Sequence, residues 1–168
     1  MDLTPEPLTA HAFAPFGDVI EATDHAEQRV INAGHTVRFH DLARLTLDAD
    51  GGRPCLSIFR TRPLPQPLRL TAMERHPLSS QAFHPLGGHR WLVVVAPPGR
   101  FDQAAVRAFL AGPQQGVNFH PGTWHHFSLA LDGPSDFLVV DRDSDRDRDG
   151  DDANCDEVEL EPPITIRL

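Results

Sequence analysis

Histidines are concentrated in two short stretches of this sequence, Glu74 to Gly88 and Gly116 to His126. The 168-residue chain has ten histidines, and six of them fall between residues 76 and 126. Imidazole rings grouped in this way are typical of metal binding and of acid–base catalysis. Because a β-barrel brings strands that are distant in sequence to one interior, the two stretches can supply a single pocket.

The spacing within both stretches resembles the two motifs of the cupins, a superfamily of small, often metal-binding β-barrels. These motifs are H-x-H-x(3,4)-E-x(6)-G and P-x-G-x(2)-H. Glu74, His76 and Gln81 stand at ligand positions of the first motif, with Glu in place of one histidine and Gln in place of the glutamate. Gly88 completes that motif. The run from His120 to His125 has the offsets of the second motif, with its first histidine in place of proline.

These substitutions leave two interpretations of the pocket open, a metal site and a metal-free polar pocket. Residues two apart on a strand face the same side, so Glu74 and His76 can both point inward, and His125 can reach in from another strand. A carboxylate, two imidazoles and the Gln81 oxygen would suit a divalent ion such as nickel, manganese or iron(II). Cupins that have lost the metal also exist, and the altered ligand types keep that alternative open.

The remaining clustered histidines are weaker candidates for chemistry. Adjacent residues on a strand face opposite sides, so we expect His125 to point into the barrel and His126 to lie on its exterior or at an interface. His84 and His89 flank a Pro-Leu-Gly-Gly turn, where we expect rings in solvent. His76, His120 and His125 are therefore the strongest candidates.

Composition excludes several kinds of chemistry and partner. The chain has no lysine and no tyrosine, which rules out a Schiff-base lysine or a tyrosine acid. A net charge of -9 without a basic stripe argues against nucleic acid binding. No run of about 18 apolar residues and no signal-peptide pattern is present, so we expect a cytoplasmic protein without membrane contact, in which Cys55 and Cys155 are reduced.

Short apolar segments between turn signals predict a mainly β protein. Gly and Pro pairs separate the segments, and sixteen prolines are hard to fit into a helical protein. We expect a cupin-like β-barrel or jelly roll that spans residues 1–168 as a single domain. One or two short helices are expected, the stronger over Asp102 to Ala111 and the other from Thr9 to before Pro15. The expected strands cover Val30-Ile31, Cys55 to Phe59, Leu68 to Met73, Trp91 to Ala96, Phe127 to Leu131, Phe137 to Val140 and Ile164 to Leu168.

An acidic, low-complexity segment lies at residues 143–152. Together with its flanks it contains Asp145, Asp147, Asp149, Gly150 and Asp156 at positions 1, 3, 5, 6 and 12 of a calcium-loop pattern. The last position lacks the usual glutamate, and no helical pattern flanks the segment. A solvated surface loop, in which Asp and Arg side chains neutralise each other, is therefore favoured over calcium binding.

The residues in and around these motifs resemble those of the ureidoglycolate lyases, also called ureidoglycolate hydrolases, of bacterial allantoin breakdown. The resemblance covers nearly the whole chain, although the acidic segment looks longer than in that family. It implies a cupin-like homodimer that converts (S)-ureidoglycolate to glyoxylate and urea as a carbon–nitrogen lyase of the amidine-lyase type. It also implies nickel or a similar divalent ion and no organic cofactor. The matching stretches include Ala12 to Glu21, Ile31-Asn32, Phe39 to Leu42, Glu74 to Pro77, Gln81 to Phe83, Arg107 to Phe109, Gly116 to His120, Trp124 to His126, Asp136 to Leu138, Asp141-Arg142 and Asn154 to Asp156.

The chemistry of ureidoglycolate gives the polar residues expected roles. Its hemiaminal carbon bears a hydroxyl, a carboxylate and a urea nitrogen, so cleavage needs a base, an acid and an anchor for the carboxylate. His120 would transfer a proton, Asn118 would bind the urea group, and Arg60 would balance the carboxylate if no metal is bound. Two other functions stay open, another metal-dependent cupin reaction and a non-enzymatic cupin that binds a small acid. The expected catalytic residues are His76, His120 and His125, the expected substrate-binding residues are Arg60, Asn118 and Gln81, and the expected metal ligands are Glu74, His76 and His125.

Overall fold

Strands dominate the computed structural model, which describes residues 1–144 and 154–168. The calcium-loop positions before Asp156, and most of the predicted acidic loop, fall outside the described residues. Within these two ranges, one helix, α1 (Ala10–Phe13), and three short 3₁₀ turns accompany the strands. The strands are β1 (Asp2–Leu3), β2 (Glu6–Pro7), β3 (Gly17–Ile20), β4 (Glu27–Ile31), β5 (Thr36–His40), β6 (Arg53–Thr61), β7 (Leu68–Arg75), β8 (Gln81–Pro85), β9 (Trp91–Ala96), β10 (Arg107–Ala111), β11 (Gly116–Phe119), β12 (Trp124–His125), β13 (Leu129–Ala130), β14 (Ser135–Asp143) and β15 (Asp156–Ile166).

Most of these strands belong to two sheets. The larger sheet has the order β1-β15-β7-β12-β9-β10-β2, with β13 also paired to β9, and the smaller has the order β3-β11-β8-β14-β6. Strands β4 and β5 pair with each other as a separate hairpin. The mainly β, cupin-like architecture predicted from the sequence is confirmed, and every expected strand segment overlaps a strand of the structure.

The main hydrophobic core fills the space between the two sheets. Val93 and Val95 of β9 enter it from the larger sheet, and Phe83 of β8 enters it from the smaller one. A second cluster contains Leu92 and Val94, which lie on the other face of β9. Because β9 is buried on both faces, its sequence is a continuous apolar run rather than an alternating one.

The predicted helix over Asp102 to Ala111 is wrong, whereas the shorter one is confirmed as α1, with Thr9 as its N-cap. Gln103–Ala105 form a 3₁₀ turn, and Arg107–Ala111 form β10, which pairs antiparallel with β9. Side chains on both faces of β10 are buried in the two clusters, so their helix-like spacing reflects two cores rather than one helix face.

No helix in the described ranges is long and apolar enough to cross a membrane.

Candidate active site

Three strands of the larger sheet bring carboxylates and an imidazole to one position. Glu74 of β7 pairs across strands with His125 of β12 and with Glu157 of β15. His125 also pairs with Val95, a residue of the main core, so its ring points to the interior between the sheets, as expected. The His125 Nε2 atom lies 3.6 Å from the Glu74 Oε1 atom.

His76, just beyond the end of β7, completes what is hereafter the inner histidine group: Glu74, His76 and His125. One ligand atom from each of the three lies within 4.8 Å of the others. The His76 Nδ1–H donates to the Asn154 carbonyl at 2.7 Å, and the His125 Nδ1–H donates to the Thr123 carbonyl at 3.0 Å. Since each proton is on Nδ1, both Nε2 atoms, which are buried without a hydrogen-bond partner, present lone pairs.

Burial and packing keep the His125 ring neutral and fixed. Burial, with a further contribution from the nearby His76, lowers the pKa of His125 to about 3. The ring is therefore uncharged at neutral pH, the form that can bind a metal ion. Phe119 of β11 stacks on it with ring centroids 4.3 Å apart and nearly parallel planes. Backbone anchoring of Nδ1 is also typical of metal-ligating histidines.

The donor set of the inner histidine group fits a divalent ion. Two imidazole nitrogens and one carboxylate are ligands that nickel, manganese and iron(II) accept. The adjoining cleft is lined by Glu74, His125 and Glu157 among others, and its described lining residues include no arginine. A bound cation would therefore offset the repulsion between these carboxylates and an anionic substrate.

His126 also lines this cleft and does not lie exposed on the barrel exterior, the first of the two positions predicted for it. Its side chain is buried, and burial lowers its pKa. Strand β12 ends at His125, so the alternation of faces on which the prediction rested does not extend to His126.

Gln81 faces the same interior from the smaller sheet. It lies at the start of β8 and pairs with Phe119, whose ring stacks on His125. Only 7% of Gln81 is exposed, and its Oε1 atom is buried without a hydrogen-bond partner. Beside it on β14, burial raises the pKa of the Asp141 carboxyl, and a hydrogen bond from Gln81 only partly opposes this rise.

Asn118 and His120 lie together around a different carboxylate, that of Asp18, and these three residues are hereafter the Asp18 group. Val117 and Phe119 of β11 point into the main core, so Asn118 between them faces the opposite side of the strand. The Asn118 Nδ2 atom donates to Asp18 Oδ2 at 2.9 Å, and the His120 Nε2 atom lies 3.2 Å from the same oxygen. The His120 side chain is 43% exposed.

Strand β3 can bring Asp18 to this position because the preceding residue is Gly17. A Cβ atom at Gly17 would lie 1.9 Å from the Asn118 carbonyl oxygen, so a larger residue would force β3 away from β11. The turn after β11 then links the two groups through the backbone. Its Gly122 N–H donates to the His76 carbonyl at 2.9 Å.

Arg60 is not brought together with the other predicted site residues. Its guanidinium donates to both carboxylate oxygens of Asp136 at 2.8 Å, and its side chain is 74% exposed. The neighbouring Phe59 packs on Phe83 of the main core, so Arg60 lies on the outer face of β6.

Comparison with known proteins identifies the family. The ureidoglycolate lyase family model matches residues 1–167. The chain belongs to the ureidoglycolate lyase family. The ureidoglycolate lyase of Burkholderia cepacia is 54% identical over 157 residues, which cover 93% of this chain and 85% of the relative. That of Burkholderia mallei (strain NCTC 10229) is 53% identical over 143 residues, or 85% and 84% of the two chains. That of Pseudomonas syringae pv. syringae is 50% identical over 153 residues, or 90% and 86%. The resemblance predicted from the sequence is confirmed.

Three polar residues near the candidate site of this ureidoglycolate lyase family member were missed by sequence reasoning: Asp18, Asp141 and Asn154. Asp141 had a usable signal, because it follows Phe137 and Val139 at a period of two and so shares their buried face. Asp18 and Asn154 had no local signal, since their roles arise from contacts between segments far apart in the chain.

Proposed function

We propose that this protein is a ureidoglycolate lyase that cleaves (S)-ureidoglycolate to glyoxylate and urea, a carbon–nitrogen lyase reaction of the amidine-lyase type. One observation carries the proposal: the buried, unpartnered Nε2 atoms of His76 and His125 lie beside Glu74 in a chain that matches this family along its length. The family name supplies the substrate, and the site supplies groups suited to it.

The reaction needs two proton transfers and no water. A base takes the proton of the hydroxyl on the hemiaminal carbon, and the oxygen lone pair forms the C=O bond of glyoxylate. The C–N bond breaks, and an acid protonates the departing urea nitrogen. Nothing is oxidised or reduced, so no organic cofactor is required.

Glu74, His76 and His125 would hold a divalent ion of the nickel type. When bound, the ion would supply positive charge to the carboxylate and hydroxyl oxygens of the substrate and lower the pKa of that hydroxyl. The chain itself keeps the ligands ready, because the Asn154 and Thr123 carbonyls hold the Nδ1 protons and leave both Nε2 atoms as donors of a lone pair.

We propose His120 as the residue that transfers protons, with Asp18 as its partner. A carboxylate beside an imidazole orients the ring and stabilises its protonated form. His120 directly follows Phe119, whose ring stacks on His125, so a single aromatic residue separates the two groups along β11. Asn118 donates both amide protons, to Asp18 and to the Arg44 carbonyl, and we therefore assign it the positioning of Asp18 rather than contact with the urea group.

The resemblance supports three further proposals about the setting of the reaction. We propose that the protein acts in allantoin breakdown, that it is located in the cytoplasm, and that it is a homodimer. Light scattering of the purified protein tests the last of these, since a mass near twice the 18.6 kDa of one chain is expected.

The activity is tested by incubating the purified protein with racemic ureidoglycolate and following glyoxylate, urea and ammonia. We expect one urea for each glyoxylate, no ammonia, and consumption of half of the racemate. A parallel sample without protein corrects for spontaneous breakdown. Ammonia released in proportion to product would indicate a hydrolase instead, and glyoxylate at the uncatalysed rate would refute the proposed function.

A further inference from the structure

Asp141 and Gln81 lie side by side on the inner face of the smaller sheet. Val139 of β14 is fully buried in the main core, and Asp141, two residues further on, faces the same side. Val140 pairs with Ala82 of β8, so the next step of the antiparallel ladder places Asp141 opposite Gln81.

Together these two side chains offer hydrogen-bond acceptors to the interior. The Gln81 amide donates to Asp141, and this bond orients its carbonyl oxygen away from the carboxylate. That oxygen, Gln81 Oε1, is buried and has no hydrogen-bond partner. Asp141 is a half-buried carboxylate with two acceptor oxygens. A buried acceptor without a donor is costly to maintain, which favours a donor from a bound ligand.

This acceptor pair borders the inner histidine group. Phe119 pairs with Gln81 across strands and stacks on the His125 ring, so one aromatic side chain touches both parts of the interior. A small molecule held by the inner histidine group would therefore extend toward Gln81 and Asp141.

We propose that Gln81 and Asp141 recognise the ureido end of the substrate by accepting hydrogen bonds from its N–H groups. The inference rests on the proposed function and names a specificity determinant for it. A ureido group carries three N–H donors, of which two belong to its terminal NH₂. The Asp141 carboxylate repels the carboxylate end of the substrate, so the pair also sets the orientation of the molecule in the pocket.

Two unreactive ligands test this recognition without turnover: N-carbamoylglycine and N-acetylglycine. They share a carboxylate, an N–H and a carbonyl, and differ in a terminal NH₂ against a methyl group. We expect calorimetry to show that the protein binds N-carbamoylglycine about tenfold to a hundredfold more tightly, because the methyl group leaves buried acceptors unpaired. Asp141→Asn and Gln81→Leu should each lower this preference about tenfold.

Asp136→Asn is the matched control, since Asp136 lies on the same strand but contacts Arg60 on the outer face. The Asp136→Asn variant should prefer N-carbamoylglycine over N-acetylglycine as strongly as the unmodified protein does. Circular dichroism verifies folding, and Gln81→Asn, which is polar but one methylene shorter and so withdraws the acceptor oxygen from the ligand, replaces Gln81→Leu if that variant unfolds. The inference is overturned if the unmodified protein binds both ligands equally or binds neither. It is also overturned if the two site variants lose affinity for both ligands in parallel and keep the preference.

Failure of the inference and failure of the proposed function are distinguishable. A protein that prefers N-carbamoylglycine, loses that preference in the variants, and yet leaves ureidoglycolate intact would support the recognition and refute the lyase activity. A protein that releases urea and glyoxylate but does not prefer N-carbamoylglycine would support the lyase activity and refute the proposed recognition.

Discussion

The inner histidine group and the Asp18 group place the same kind of side chain in opposite environments. In the inner histidine group, the rings of His76 and His125 are anchored to backbone carbonyls, and their Nε2 atoms are buried without a partner. In the Asp18 group, the His120 ring is 43% exposed and contacts a carboxylate. Imidazoles whose buried Nε2 atoms have no hydrogen-bond partner suit ligation, whereas an exposed imidazole beside a carboxylate suits proton transfer. The role of each histidine therefore follows from its environment rather than from its place in a motif.

The largest effect is expected from removing a ring of the inner histidine group. His76→Ala or His125→Ala should lower kcat/KM about a thousandfold, because the ion and the charge that it supplies to the substrate are lost together. Elemental analysis and glyoxylate release measure the two losses. His89→Ala, at an exposed turn, is the matched control and should change neither. A His125→Ala protein that contains no ion and is fully active would reduce this group to a polar pocket.

The next effect separates the two groups. His120→Gln should lower kcat about a hundredfold to ten-thousandfold, the usual contribution of a general acid or base, while the bound ion stays at the level of the unmodified protein. Steady-state kinetics and elemental analysis on the same preparation measure both quantities. Loss of the ion in His120→Gln would show that the comparison is wrong and that His120 belongs to the inner histidine group.

The grouping of Glu74, His76 and His125 could be predicted because it depends on local rules. Glu74 lies near the end of β7 and His76 one residue beyond it, and alternation continued by that one residue puts both on one side. The spacing of the second cupin motif added His125 to this group. Strand β9 could be predicted because its sequence is a continuous apolar run. At the end of β12 the alternation stopped, and His126 is buried there rather than exposed on the exterior, one of the two positions predicted for it.

The rest of the site depends on contacts that sequence spacing does not encode. The hydrogen bond from His76 to the Asn154 carbonyl joins residues 78 positions apart, and the contact between His120 and Asp18 joins residues 102 positions apart. The helix predicted where the structure has β10 is wrong for a similar reason, because the pairing of strands is also a contact between distant segments. Burial of both faces of a strand gives an apolar spacing that a helix would also satisfy, and only the pairing with β9 decides between them.

A smaller effect tests the Asp18 group internally. Asp18→Asn keeps one acceptor oxygen, which can serve both the Arg44 N–H and Asn118, but removes the charge beside His120. We expect kcat to fall about tenfold to a hundredfold, the range found when a residue that orients a functional group is lost. In a His120→Gln background, Asp18→Asn should cause little further loss, because the two residues act as one unit. Additive losses would assign Asp18 a separate, structural role.

The smallest effect is expected at Arg60, which lies outside both groups. Arg60→Ala should change kcat/KM less than twofold, since its guanidinium is 74% exposed and pairs with Asp136 on the outer face of β6. Arg90→Ala is the matched control, because Arg90 pairs with Asp132 in the same two-point manner at the surface. A tenfold rise in KM for Arg60→Ala alone would show that this arginine anchors the substrate carboxylate, as the sequence suggested. The charge for that anchor would then come from the protein rather than from an ion at the inner histidine group.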